Sequence, residues 1–280
     1  MYYLRGINEV KEIIQKAIGL RTDHPCPSYS QLNYAYYNFL KKTSIFENYE
    51  FLNEIELYDF QILQQLFPKY CEKYKQHYST NSAILNARLN SGFFRNALKR
   101  LELMNTEIFN LSNFLIKIIL LNHLESYIDG TTGETIGFCC IDFKDHFDEE
   151  DFIELIVHQM THMILFMDDY SNKHMFNNDK DLMVDIGLKY VLGGTQFPIY
   201  ITFHSYLVGI EILNFRWQFN DLNYAGKYHG TTARIVNGCE RFQVGLKNNF
   251  SLFSSRAQSI LRDASDSFER IKTVYQARTI

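Results

Sequence analysis

The chain has 280 residues, 46% hydrophobic and 21% charged, so it carries enough apolar mass for a core and is not a disordered segment. With 28 Lys and Arg against 32 Asp and Glu, a net charge of −4 and no basic tract, the sequence argues against nucleic acid as a partner. No apolar run reaches the ~18 residues of a membrane span, and the opening MYYLRGINEV lacks a secretion-signal core, so a cytoplasmic protein without a membrane partner is expected.

Only 4 prolines and 14 glycines punctuate the sequence, which favours long helices. Taken in chain order, the first helix is expected over Asn8–Leu20 and the second over Ser28–Lys42, where Leu32, Tyr36, Phe39 and Leu40 recur at helical spacing. A third follows over Leu52–Tyr78 with a break at Pro68, then two more over Asn81–Leu103 and Thr106–Tyr127, the last apolar on most sides. Asp129–Gly133 is turn chemistry, and Glu134–Phe143 (ETIGFCCIDF), short and rich in β-branched and aromatic residues, is the best strand. Asp148 caps a helix whose first turn carries Glu149, Glu150 and Asp151 and which runs to about Met167. A polar loop to Lys180 contains His174, expected to be exposed, and a helix to Leu192 then stops at Gly193-Gly194. Helices over Thr202–Phe219, Thr232–Leu246 and Ser254–Ala277 close the chain. The fold class expected is mainly α with a small β element. Residues 1–128 are expected to form an N-terminal helical region and residues 129–280 a second region, the one that carries the His158–His162 pair. No linker composition separates them, so one continuous domain is the other arrangement. The 5 cysteines, Cys26, Cys71, Cys139, Cys140 and Cys239, are odd in number and scattered, as reduced structural thiols would be.

The segment Asp151–Asp169 (DFIELIVHQMTHMILFMDD) is apolar around the whole helix and therefore belongs in a core. Yet His158 and His162 sit four apart, so their rings project from one face, one turn apart. Buried imidazoles need partners for their nitrogens, and a divalent metal satisfies both at once; hydrogen-bonded core histidines are the alternative. The best source of a third ligand is Asp181 or Asp185, four apart on the helix expected after Lys180. One would bind the ion and the other would orient a histidine. Gln159 stands beside the first histidine, where a carboxamide has no basic site to accept a proton. His204, in an apolar run, is a further ligand, an oxyanion stabiliser or a satisfied core histidine, and Glu211 lies two turns on. The other histidines have no partner at ligand spacing.

HQMTH (158–162), eighteen residues, then Asp181 and Asp185 four apart resembles the gluzincin metallopeptidases, whose pattern is HExxH followed by Glu and, four residues later, Asp. The strand before the histidine helix and GLKYVLGG (187–194) are also similar to zincin-like proteins, and the resemblance covers about residues 130–195. It implies a zincin-like active-site helix, zinc ligands at His158, His162 and Asp181, and Asp185 behind them. The sequence departs at Gln159, where the family has its catalytic glutamate, and at Asp181, one methylene shorter than the family's ligand.

The function expected is a degenerate metallopeptidase relative that binds zinc and a peptide or protein, with hydrolysis lost or altered. A peptide would lie extended along Glu134–Phe143. One alternative is a non-haem iron(II) oxygenase acting on a peptide, which makes its oxidant on the metal and needs no carboxylate base. Arg216 or Arg234 would then hold an acidic co-substrate, unless each is an ordinary solvated arginine. The other alternative is a metal-free helical binding protein.

Overall fold

The computed structural model describes residues 1–20, 27–42, 46, 49–50, 54–58, 60–67, 92–121, 130–176, 179–187, 196–219 and 222–278. It is mainly helical with small sheets, as composition and periodicity led us to expect.

Caps explain several helix starts. Ser28 and Gln31 form a capping box that opens α2 (Tyr29–Lys41). Asn105 accepts from the backbone N–H groups of Glu107 and Ile108, separating α4 (Phe93–Met104) from α5 (Thr106–Leu115). Asp148 and Asp151 each accept the other's backbone N–H, at 3.0 and 3.1 Å, at the start of α6 (Glu149–Asn172). The first helix, α1 (Tyr2–Ala17), begins earlier than its local sequence suggests and kinks at Gly6, whose φ of 75° suits glycine. Its early start has a distant cause: the Glu211 carboxylate accepts from the Tyr3 and Leu4 amides at 3.0 and 3.1 Å.

Three expected helices are strands in part. The stretch from Leu52 gives β1 (Glu56–Tyr58) before α3 (Phe60–Leu66), while Pro68 and the residues to 78 lie outside the described residues. Thr106–Tyr127 stops as a helix at Leu115, and Ile118–Leu121 is strand β2. A short run apolar on every side reads equally as buried helix or buried parallel strand, and here pairing decides. The third is the segment after Lys180, where Met183–Asp185 forms β4. The strand expected over Glu134–Phe143 shortens to β3 (Phe138–Ile141).

Two compact units divide the chain, Ile14–Phe166 and Met1–Ile13 with Met167–Ile280. In the first, β1, β2 and β3 form an all-parallel sheet in that order, with Ile118 opposite Phe138 and Leu121 opposite Ile141. The boundary expected at 128/129 falls inside this sheet, because β2 and β3 pair across it. Beside the sheet, Phe94 meets Phe143 and Phe152 edge to face at 5.0 and 4.9 Å.

In the second unit, α7 (Ile199–Gln218) packs against α8 (Thr232–Asn248) and α9 (Ser255–Arg278). A Cβ on Gly209 of α7 would lie 2.6 Å from the Cys239 sulfur of α8, so the close approach requires glycine. Strand β4 pairs antiparallel with β5 (Gln196–Pro198), and β6 (Ala225–Gly226) with β7 (Gly230–Thr231). Arg216 is buried and donates to the Tyr224 and Gly230 carbonyls and the Thr232 hydroxyl. That arginine therefore holds the β6–β7 hairpin rather than standing in solvent; Arg234 is exposed. Cys139, Cys140 and Cys239 are buried and form no disulfide among the described residues. Among the described residues no helix is long and apolar enough to cross a membrane.

Candidate functional site

Helix α6 places His158 and His162 as their spacing requires. Their Nε2 atoms lie 3.1 Å apart and their ring centroids 4.8 Å apart, tilted by 54°. The His162 ring stacks on Phe166 at 6.2 Å, and burial pushes its pKa from 6.5 down to about 4. Both rings are therefore half-buried neighbours with nitrogens converging on one point, one turn apart. The remaining turns anchor the helix: Val157 accepts from the Thr161 hydroxyl at 2.8 Å, and Met160 sulfur accepts from Ser112 at 3.4 Å.

Gln159 is fully buried, and neither its Nε2 nor its Oε1 has a hydrogen-bond partner among the described residues. One turn before His158, Glu154 is also buried, at 2% exposure. Sequence reading missed it, although an acid four residues before the histidine in an apolar helix is a usable signal.

The carboxylates expected to complete the site are differently built. Asp181 is an exposed turn residue, and Asp185 is exposed on β4, where it accepts the Gly187 N–H at 2.8 Å. They do not share a helix face, because Val184 and Ile186 turn inward while Asp185 and Gly187 turn outward, the alternation of an extended chain. Residues 188–194 of the GLKYVLGG match lie outside the described residues. Among the described residues no three His, Cys, Asp or Glu side chains gather where they would hold a metal ion.

His204, buried at 3% exposure, packs its ring 4.5 Å from that of Tyr200. Glu211, two turns on, is committed to the start of α1, where it also pairs with the Met1 amino group. His174 is not exposed as its polar surroundings suggested. It is fully buried, with Nε2 2.9 Å from Asp168 and its backbone N–H donated to Asp169 at 2.6 Å. Burial alone would raise the Asp168 carboxyl, but hydrogen bonds from His174 and from Arg256, at 2.9 Å, hold it below the ordinary carboxylate value. Lys180 and the Tyr200 hydroxyl satisfy Asp169 at 2.7 and 3.1 Å.

Strand β3 offers little edge to a peptide. All four of its residues are buried, and Cys140 already exchanges both backbone hydrogen bonds with Gly130 at 2.9 Å. The strand-addition mode expected there is thus obstructed at the centre of the strand.

Compared with known proteins, the chain matches no family model and no curated protein.

Proposed function

We propose that this chain is a zincin-like metal-binding protein that holds a divalent ion, zinc before iron(II), on His158 and His162. One observation supports the reading above others, the 3.1 Å separation of the two Nε2 atoms. Two imidazoles on one tetrahedral zinc at about 2.0–2.1 Å would hold their nitrogens about 3.3 Å apart, so small ring rotations admit the ion. Two histidines leave coordination positions open, and a donor side chain of a bound peptide or protein would fill one of them. Hydrolysis is not part of the proposal. The position of the usual general base holds Gln159, which has no site to take a proton from metal-bound water.

A metal-free helical binding protein is the second reading. The same 3.1 Å admits a direct N–H···N hydrogen bond between rings of opposite tautomer, and no third donor gathers beside them among the described residues.

Calorimetric titration of chelator-stripped protein with zinc distinguishes the two. The expected result is one equivalent bound, with affinity falling at least about 100-fold in His158→Ala and in His162→Ala. Equal binding by the wild type and the double variant would end the metal reading. The resemblance assigns the third ligand to Asp181, and unchanged affinity in Asp181→Ala would remove that assignment while leaving the histidine pair.

A further inference from the structure

Within the unit that contains α7, α8 and α9, these helices and the short turn Phe250–Leu252 enclose a half-open cleft of about 320 Å³. That volume is at the small end of the range for small-molecule sites, which are mostly apolar with a few placed polar groups. Leu246, Phe250 and Leu261 supply the apolar lining. At its inner side Tyr206 is fully buried and accepts a hydrogen bond from Gln243 at 3.2 Å. Burial raises the Tyr206 pKa to about 12, so the phenol keeps its proton and remains a donor.

The mouth is charged in a specific way. Lys247 and Arg262 both line the cleft and are exposed, and neither has a carboxylate within ion-pair distance among the described residues. The Arg262 guanidinium lies 5.6 Å from the centre of the Phe250 ring, which holds the cation over the apolar wall. Asp266 is the one acid in the lining, and it leaves the mouth with an excess of one positive charge. An excess of one positive charge is neutralised by a single carboxylate, while the apolar wall of Leu246, Phe250 and Leu261 offers nothing to a bare phosphate ion.

We propose that this cleft binds a small amphipathic carboxylic acid, its chain against Leu246, Phe250 and Leu261 and its carboxylate between Lys247 and Arg262. The site is independent of the histidine pair, so either assignment can fail alone. Decanoate is the probe, titrated calorimetrically into the full chain, with decanol and inorganic phosphate as comparisons.

The expected result is saturable one-to-one binding of decanoate with Kd on the order of 10–100 µM, given the limited binding energy of so few atoms. Decanol should bind at least about 10-fold more weakly and phosphate not measurably, because the site needs both chain and charge. Lys247→Ala with Arg262→Ala should weaken decanoate by about 10-fold or more at unchanged thermal stability, since both residues are exposed. Ser265→Trp, from the same lining, should block the cleft. Equal binding of decanoate and decanol, decanoate affinity unchanged in the double variant, or no saturable binding would each overturn the proposal.

Discussion

Gln159→Met is expected to make the protein more stable. The carboxamide is fully buried, and both of its polar atoms lack a hydrogen-bond partner among the described residues. On mutational scales an unpaired buried amide costs about 1–3 kcal/mol. Methionine has nearly the same length and volume, and such volume-conserving swaps cost less than about 1.5 kcal/mol. The balance is a gain of about 1–2 kcal/mol, which for a chain of this size raises Tm by about 2–4 °C. Urea unfolding at pH 7 and differential scanning calorimetry on purified wild type and variant measure it. Gln159→Glu is the companion variant, expected to lose about 2 kcal/mol or more because it buries a carboxyl group in the same place. A loss of more than about 1 kcal/mol in Gln159→Met would refute the reasoning, since the carboxamide must then have a partner that stabilises it.

The His162 pKa of about 4, held there by burial against an unfolded value near 6.5, makes acid destabilising. In chelator-stripped protein the unfolded chain binds the proton between those values and the folded one does not, so stability falls by up to about 3 kcal/mol from pH 6.5 to pH 4. Subtracting the pH profile of His162→Leu from that of the wild type isolates this component, and parallel profiles would contradict it. Glu211→Ala should cost about 3–5 kcal/mol, because it breaks the buried pair with the Met1 amino group and strips the acceptor from the Tyr3 and Leu4 amides. Hydrogen exchange at those two amides should accelerate, and unchanged protection would show that the carboxylate does not hold the start of α1. Lys117, 2% exposed, donates to the Asn113 carbonyl at 2.9 Å, lies 5.1 Å from the Tyr37 ring centre, and is pushed by burial down to about 8. Lys117→Met should therefore stabilise by about 1–3 kcal/mol at pH 7, and less as pH rises from 8 to 10.5 and the folded wild type sheds its proton. A gap that does not narrow over that range would mean the buried amine is not the cause.

What could be read from the sequence followed from how local its causes are. Helix α6 was legible because its signals lie within it: Asp148 and Asp151 at the start, three acids in the first turn, and apolar residues all round. The convergence of His158 and His162 followed from the helical period alone. Ile118–Leu121 was misread because a four-residue apolar run carries no period, and only pairing with Phe138–Ile141 makes it a strand. The segment around Asp185 carried a usable signal in the alternation of Val184 and Ile186, but its pairing with Gln196–Pro198 is not a local property. His174 looked solvated among polar neighbours, yet Asp168, six residues before it, and Arg256, 88 residues after Asp168, bury it in a charge network. The early start of α1 likewise depends on Glu211, more than 200 positions away.

The central claim is that His158 and His162 share a metal ion, and metal content tests it most directly. Protein produced without an affinity metal or chelator, and analysed by inductively coupled plasma mass spectrometry, should carry close to one equivalent of zinc per chain. The His158→Ala, His162→Ala double variant, folded by circular dichroism, should carry none. Wild-type protein without bound metal that also takes up none on addition of zinc or iron(II), or a double variant that retains a full equivalent, would contradict the account.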